Sequence, residues 1–138
     1  MQFIITCVII VQVKVIYLKV LIKTSILNNE LIEEDLLECQ GIMNNNIIKY
    51  YDGKTLVKLN LNDIITLTRT NQDQEIIFRF DLDNETIGKY YLKDINQNLE
   101  FKIKTKELTI LNNQIKISYE LDLQDEVFNF KLSYEVIE

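Results

Sequence analysis

Along most of this chain apolar and polar residues alternate with a period of two, and the alternation continues to the C-terminal residues. Ile115, Ile117, Tyr119, Leu121 and Leu123 share one phase, with Lys116, Ser118, Glu120 and Asp122 between them. Phe128, Phe130, Leu132, Tyr134 and Val136 alternate in the same way with Asn129, Lys131, Ser133 and Glu135. Successive side chains on a strand point to opposite faces, so each stretch predicts a strand with one buried and one wet side. One-sided strands must close into a barrel or stack on a second sheet, because nothing else covers their apolar faces.

Upstream, short strands follow one another with turn residues between them. The pattern predicts strands at Leu18 to Ser25, Leu31 to Ile42, Ile47 to Tyr51, Thr55 to Leu61 and Ile64 to Thr70. Ile76, Phe78, Phe80 and Leu82 set the phase of the next, and Thr86 to Lys93 and Leu99 to Lys106 follow, with Thr109 to Leu111 extending the last. Asn28-Asn29, the run Asn44 to Asn46, Asn62-Asp63 and Asn112-Asn113 are the turns, and Asp52-Gly53 is the strongest hairpin signal. About eight to ten strands with hairpin-length links predict a single all-β domain, an up-and-down barrel or a sandwich.

Composition narrows the chemistry. At 138 residues the chain makes one domain large enough for a real core. Its net charge of −6 argues against nucleic acid and against an anionic membrane surface as partners. Histidine is absent, which excludes a Ser-His-Asp triad, a Cys-His pair and any His-ligated metal. No other catalytic constellation is visible, so the expectation is a protein that is not an enzyme and needs no cofactor or metal. Two cysteines, Cys7 and Cys39, read as reduced thiols and, with the scattered charges, as cytoplasmic solubility.

Arg69 shares the phase of Ile65 and Leu67 and therefore faces inward. An inward arginine must be paired or meet a polar ligand, because an isolated buried charge is costly. Two readings follow: a cation that grips a ligand carboxylate or phosphate, or a structural residue stacked on a tyrosine or paired with a carboxylate such as Asp52. The structural reading is favoured. Tyr50, Tyr51, Tyr90, Tyr91, Tyr119 and Tyr134 could line a pocket, Tyr50 and Tyr91 beside Arg69, although tyrosines more often present an apolar body and a wet tip on ordinary strands. Glu33, Glu34 and Asp35 alternate faces and cannot converge on a metal, and Lys102, Lys104 and Lys106 read as an exposed strand face.

Gly41, the IIKYYDG hairpin, the ITLTR strand and the segment IGKYYLKDINQNLEFKIKTKELTI together resemble the YwiB-like proteins, uncharacterised bacterial proteins of calycin-like β-barrel fold. The matching positions are Leu18 to Ser25, Gly41, Tyr50 with Asp52, Arg69, Tyr91, Thr105 and Ile115 onward. Two positions depart from the pattern: Cys39 stands where a threonine is usual, and Leu92-Lys93-Asp94 replaces a threonine-and-glycine turn. The Trp common near the start of lipocalin barrels is also absent. The resemblance implies a calycin-like or lipocalin-like barrel with room for a small apolar or amphipathic ligand; it implies no activity.

The resemblance begins at Leu18-Lys19-Val20, where such proteins open with Met-Lys-Val. At the same place the alternation slips phase, from Val11, Val13 and Val15 to Leu18, Val20 and Ile22. Residues 1–17 are therefore expected to be a non-native extension or an extra strand, and 18–138 the barrel domain. The leading expectation for function is a non-catalytic barrel that binds a small amphipathic or anionic ligand. The alternative is a protein-interaction or regulatory domain with a filled core, and either leaves room for a homodimer.

Overall fold

The computed structural model describes residues 17–28, 31–122 and 124–137. Residues 1–16, with Cys7 and the boundary expected before Leu18, lie outside the described residues, as do Asn29 and Leu123. Ten strands run in chain order: β1 (Leu18–Asn28), β2 (Leu31–Asn44), β3 (Ile47–Asp52), β4 (Thr55–Asn60), β5 (Ile65–Thr70), β6 (Gln74–Phe80), β7 (Thr86–Leu92), β8 (Gln97–Leu111), β9 (Gln114–Leu121) and β10 (Gln124–Val136). Each pairs antiparallel with its sequence neighbours, and β1 pairs with β10, so the sheet closes into an up-and-down barrel. Closure resolves the choice between barrel and sandwich; on the β3 side only Gly41, Ile42, Met43 and Asn44 of β2 are paired.

Turn chemistry follows from backbone sterics. Asn45 and Asn46 both carry positive φ, as do Asn112 and Asn113. Two-residue hairpins need this hand to match strand twist, and asparagine tolerates it better than other residues with a side chain. At the β3–β4 hairpin only Gly53 has positive φ, at 61°, as expected when glycine occupies the first central position.

Inside, the core among the described residues is the apolar phase of eight strands: Val20 and Ile22, Ile48, Val57 and Leu59, Ile65 and Leu67, Phe80, Phe101 and Ile103, Ile115 and Ile117, Phe130 and Leu132, with Leu37 and Met43 of β2 and Tyr90 of β7 partly buried against it. Tyr119 stands among them with its ring centroid 5.0 Å from that of Phe80 and 5.5 Å from that of Phe128. One sequence expectation needs correcting. Leu82 does not extend the β6 alternation; the strand ends at Phe80 and Leu82 is exposed. Thr109 to Leu111 does extend the strand begun before Leu99, as expected, and this strand, β8, carries a bulge between Thr105 and Glu107. Two β8 residues there oppose one step of β9, so the inward phase passes from Thr105 to Leu108.

Candidate functional site

The odd-numbered strands run toward one end of the barrel, the end that carries the β3–β4 hairpin and the β5–β6 loop. Here a single cross-strand row aligns Gly41, Tyr50, Val57, Arg69, Ile76 and Tyr90 on neighbouring strands. The row explains how two residues far apart in sequence come to share the interior. Tyr50 on β3 and Arg69 on β5 both pair with Val57 on β4, and all three side chains point the same way.

Asp52 lies one inward step beyond Tyr50, toward the barrel mouth. The Arg69 side chain reaches back across β4, and its Nη2 donates to Asp52 Oδ2 at 3.0 Å. About one-third of each side chain remains open to solvent, 30% of Arg69 and 39% of Asp52. The pair therefore closes the mouth of the interior without being sealed inside it.

Beneath the pair is an internal cavity of about 110 Å3. Leu67, Phe78, Phe130 and Ile26 are among its apolar walls; Tyr50, Tyr119, Arg69, Asp52 and Thr24 bring polar groups to it. Tyr50 is 3% exposed and Tyr119 6%. Burial pushes the phenol of Tyr50 well above the usual tyrosine range, with the Arg69 charge opposing the shift in part. Burial also pushes Tyr119 up to about 12, again against the pull of Arg69. Both phenols are therefore neutral across the physiological range. Neither hydroxyl hydrogen-bonds to a described residue, and neither is closed off from the cavity.

Cys39, in phase with Gly41 on β2, is a free thiol whose ionisation is disfavoured by burial and by the nearby Asp52 carboxylate. It is a weak nucleophile, and the site has no general base to activate it. Among the described residues no cluster of acidic, cysteine or histidine side chains could hold a metal. The side chains of Glu33, Glu34 and Asp35 lie outside the description.

Arg69 and Tyr50 thus meet at one site, while Tyr91 is not part of it. In the β7 dipeptide it is Tyr90 that shares the inward phase of Gly88, and its hydroxyl bonds to Gln74. Tyr91 pairs with Glu75 on the outer face and donates to Asn96 Oδ1 at 2.8 Å. Tyr119, one of six tyrosines read as able to line a pocket, is the residue that the sequence did not set beside Arg69. Its inward phase was visible; its convergence with Arg69 across the barrel was not.

A larger cleft, about 400 Å3, lies on the outer surface among Glu85, Lys102, Lys104, Glu120 and Asp122. Its walls mix both signs of charge and lack the enclosed apolar surface that holds small molecules. The inner cavity is the better candidate.

The architecture and its inner polar cluster define a closed ten-stranded antiparallel barrel whose interior opens at an arginine–aspartate pair. Among solved structures, the crystal structure of ywiB protein from Bacillus subtilis is similar, with a TM-score of 0.52 and 19% sequence identity over 88% of this chain and 92% of that one. This chain accordingly has the YwiB-like barrel fold, as the resemblance in sequence implied; at that identity the likeness speaks to fold alone. No family model matches the chain, and no curated protein matches it in sequence.

Proposed function

We propose that this protein is a non-catalytic, calycin-like barrel that binds a small molecule in the cavity beneath Arg69 and Asp52. The observation that carries the reading is that Tyr50 and Tyr119, buried as residues, open their hydroxyls on this cavity without a bond to a described residue. Each offers a donor held in place by the packing of its ring, which a ligand acceptor can use. The outward positions support a barrel in water: Lys89, Lys102, Lys104, Lys116 and Lys131 are exposed, where a lipid-facing strand carries apolar residues. No helix among the described residues is long and apolar enough to cross a membrane. With the acidic composition this agrees with a cytoplasmic setting.

The cavity's size favours a second reading as well. Pockets for drug-sized ligands run to roughly 300–1,000 Å3, well above the 110 Å3 found here. A barrel this well filled also suits a protein-interaction or regulatory domain that works through its surface. Native mass spectrometry of protein purified from its own host separates the two. Binding predicts a retained low-mass species lost on denaturation; a bare chain, with no melting-point rise in any small-molecule screen, favours the filled-core reading. The same spectrum counts subunits and so tests for a homodimer.

A further inference from the structure

Building on the reading of the inner cavity as a binding site, we propose that its ligand is a short-chain monocarboxylate, held with its head on Arg69 and its tail against Leu67, Phe78 and Phe130. The argument is an inventory of donors and acceptors. A guanidinium carries five N–H donors in a planar fork. Asp52 engages Arg69 through Nη2 alone, so most of the fork has no partner among the described residues. The hydroxyls of Tyr50 and Tyr119 add two more donors at the same cavity. Asp52 supplies the one ionised acceptor at this site, and it sits at the rim.

Surplus donors that converge call for an acceptor-rich group, and a carboxylate matches the arginine fork in plane and in charge. Burial keeps both phenols protonated, so they remain donors and add no opposing charge. Asp52 is 39% exposed and held by one contact. It can turn into water when a ligand oxygen takes its place on Arg69, leaving the site neutral overall. A doubly charged phosphate would meet a single cation and apolar walls, which leaves charge uncompensated.

Size fixes the tail. An apolar cavity of about 150 Å3 takes benzene, and this one is about 110 Å3. That leaves room for a carboxylate and a few carbons. Leu67 is one inward step below Arg69 and in register with Phe78, so the tail lies on apolar surface as soon as the head is seated.

Calorimetric titration of the protein with sodium butyrate and with butyramide tests this. Butyrate should bind and the neutral amide should bind about tenfold more weakly or worse, the equivalent of 1.4 kcal/mol. Asp52→Asn removes the competing carboxylate and should tighten butyrate about tenfold, while Arg69→Met, checked for its fold by circular dichroism, should abolish binding. Equal affinity for amide and acid, weaker butyrate binding by Asp52→Asn, or no butyrate binding up to millimolar concentration overturns the assignment. A neutral molecule retained by protein from its own host would overturn it too, yet leave the binding reading standing; a bare chain there with no melting-point rise in any small-molecule screen removes both.

Discussion

Arg69 bonds to Asp52 across an intervening strand, Nη2 to Oδ2 at 3.0 Å, and the contact ties β5 to the tip of the β3–β4 hairpin. In the ladder Val57 lies between Arg69 and Tyr50, while Asp52 pairs with Thr55. Breaking a fully buried pair costs about 3–5 kcal/mol, whereas an exposed pair contributes about 0–1. One-third exposure places this pair between the two. Arg69→Met should therefore cost about 1–2 kcal/mol, a fall of roughly 3–10 °C in the melting midpoint. A midpoint equal to or above the parent's would mean that the pair contributes nothing structural and that the cation is kept for a ligand.

Tyr119 makes stability sensitive to alkali. Its phenol ionises at about 12 in the folded barrel because burial disfavours the phenolate, against about 10 in the unfolded chain. Below about pH 10 both states hold the proton, and the full contribution is present. Between about 10 and 12 the unfolded chain loses its proton while the folded one keeps it, so stability falls as pH rises, by an amount on the order of 2 kcal/mol. Tyr50, shifted in the same direction, adds to the slope. Urea midpoints of the parent and Tyr119→Phe at about pH 9 and about pH 11 isolate the effect. The variant should lose less stability between the two values than the parent, and parallel losses would show that Tyr119 ionises normally.

Phe128→Ala tests the aromatic packing beside that residue. Phe128 stacks on Tyr119 with centroids 5.5 Å apart but is only partly buried. Removing a fully buried ring costs about 3–5 kcal/mol, so about 2–3 is expected here by chemical denaturation. A loss under about 1 kcal/mol would place the ring outside the cooperative core.

Phase was the legible part of this molecule, and distance across the barrel was not. Period-two alternation assigned Ile117, Tyr119, Phe130 and Leu132 to the inside, and all four are buried. It also placed Arg69 on the inner face, where the cost of an isolated charge called for a partner such as the Asp52 carboxylate. Where two neighbours are chemically alike the pattern is blind. In Tyr90-Tyr91 either residue can be the inward one, and the choice is set by Gly88 and the β6 pairing, which put Tyr90 inside. The bulge at Thr105–Glu107 was similarly hidden, because an extra residue shifts phase without any distinctive turn residue. Tyr119 faces Arg69 from β9 only because the closed sheet curves, a property of barrel geometry and not of local sequence.

Gly41 has a steric reason to be glycine. A Cβ there would lie 2.5 Å from the Lys49 carbonyl oxygen and 2.4 Å from Ile22 Cδ1. The isoleucine tip can turn aside; the β3 backbone cannot move without loosening the ladder that holds Tyr50 in register. Gly41→Ala should cost about 1–3 kcal/mol as overpacking, and it should also perturb the Tyr50 ring resonances in a two-dimensional NMR spectrum. A neutral substitution would show that β2 can shift away from β3 without penalty.

The barrel closes entirely within residues 18–137. β1 starts at Leu18, and its pairing with β10 runs from Val20 opposite Val136 to Asn28 opposite Phe128. Beyond the ladder, the Ile137 amide donates to the Lys19 carbonyl at 2.9 Å, which finishes the seam at its outer end. Tyr17, just before β1, is 60% exposed. In the closed strand order every strand has both neighbours without any contribution from residues 1–16, although residues 35–40 of β2 pair with β1 alone. A chain starting at residue 18 should fold with a melting midpoint within about 1–2 °C of the full-length protein, a difference of well under 1 kcal/mol. Differential scanning calorimetry of the two chains decides it: a loss of several degrees would mean that the preceding segment packs on the barrel and belongs to the domain.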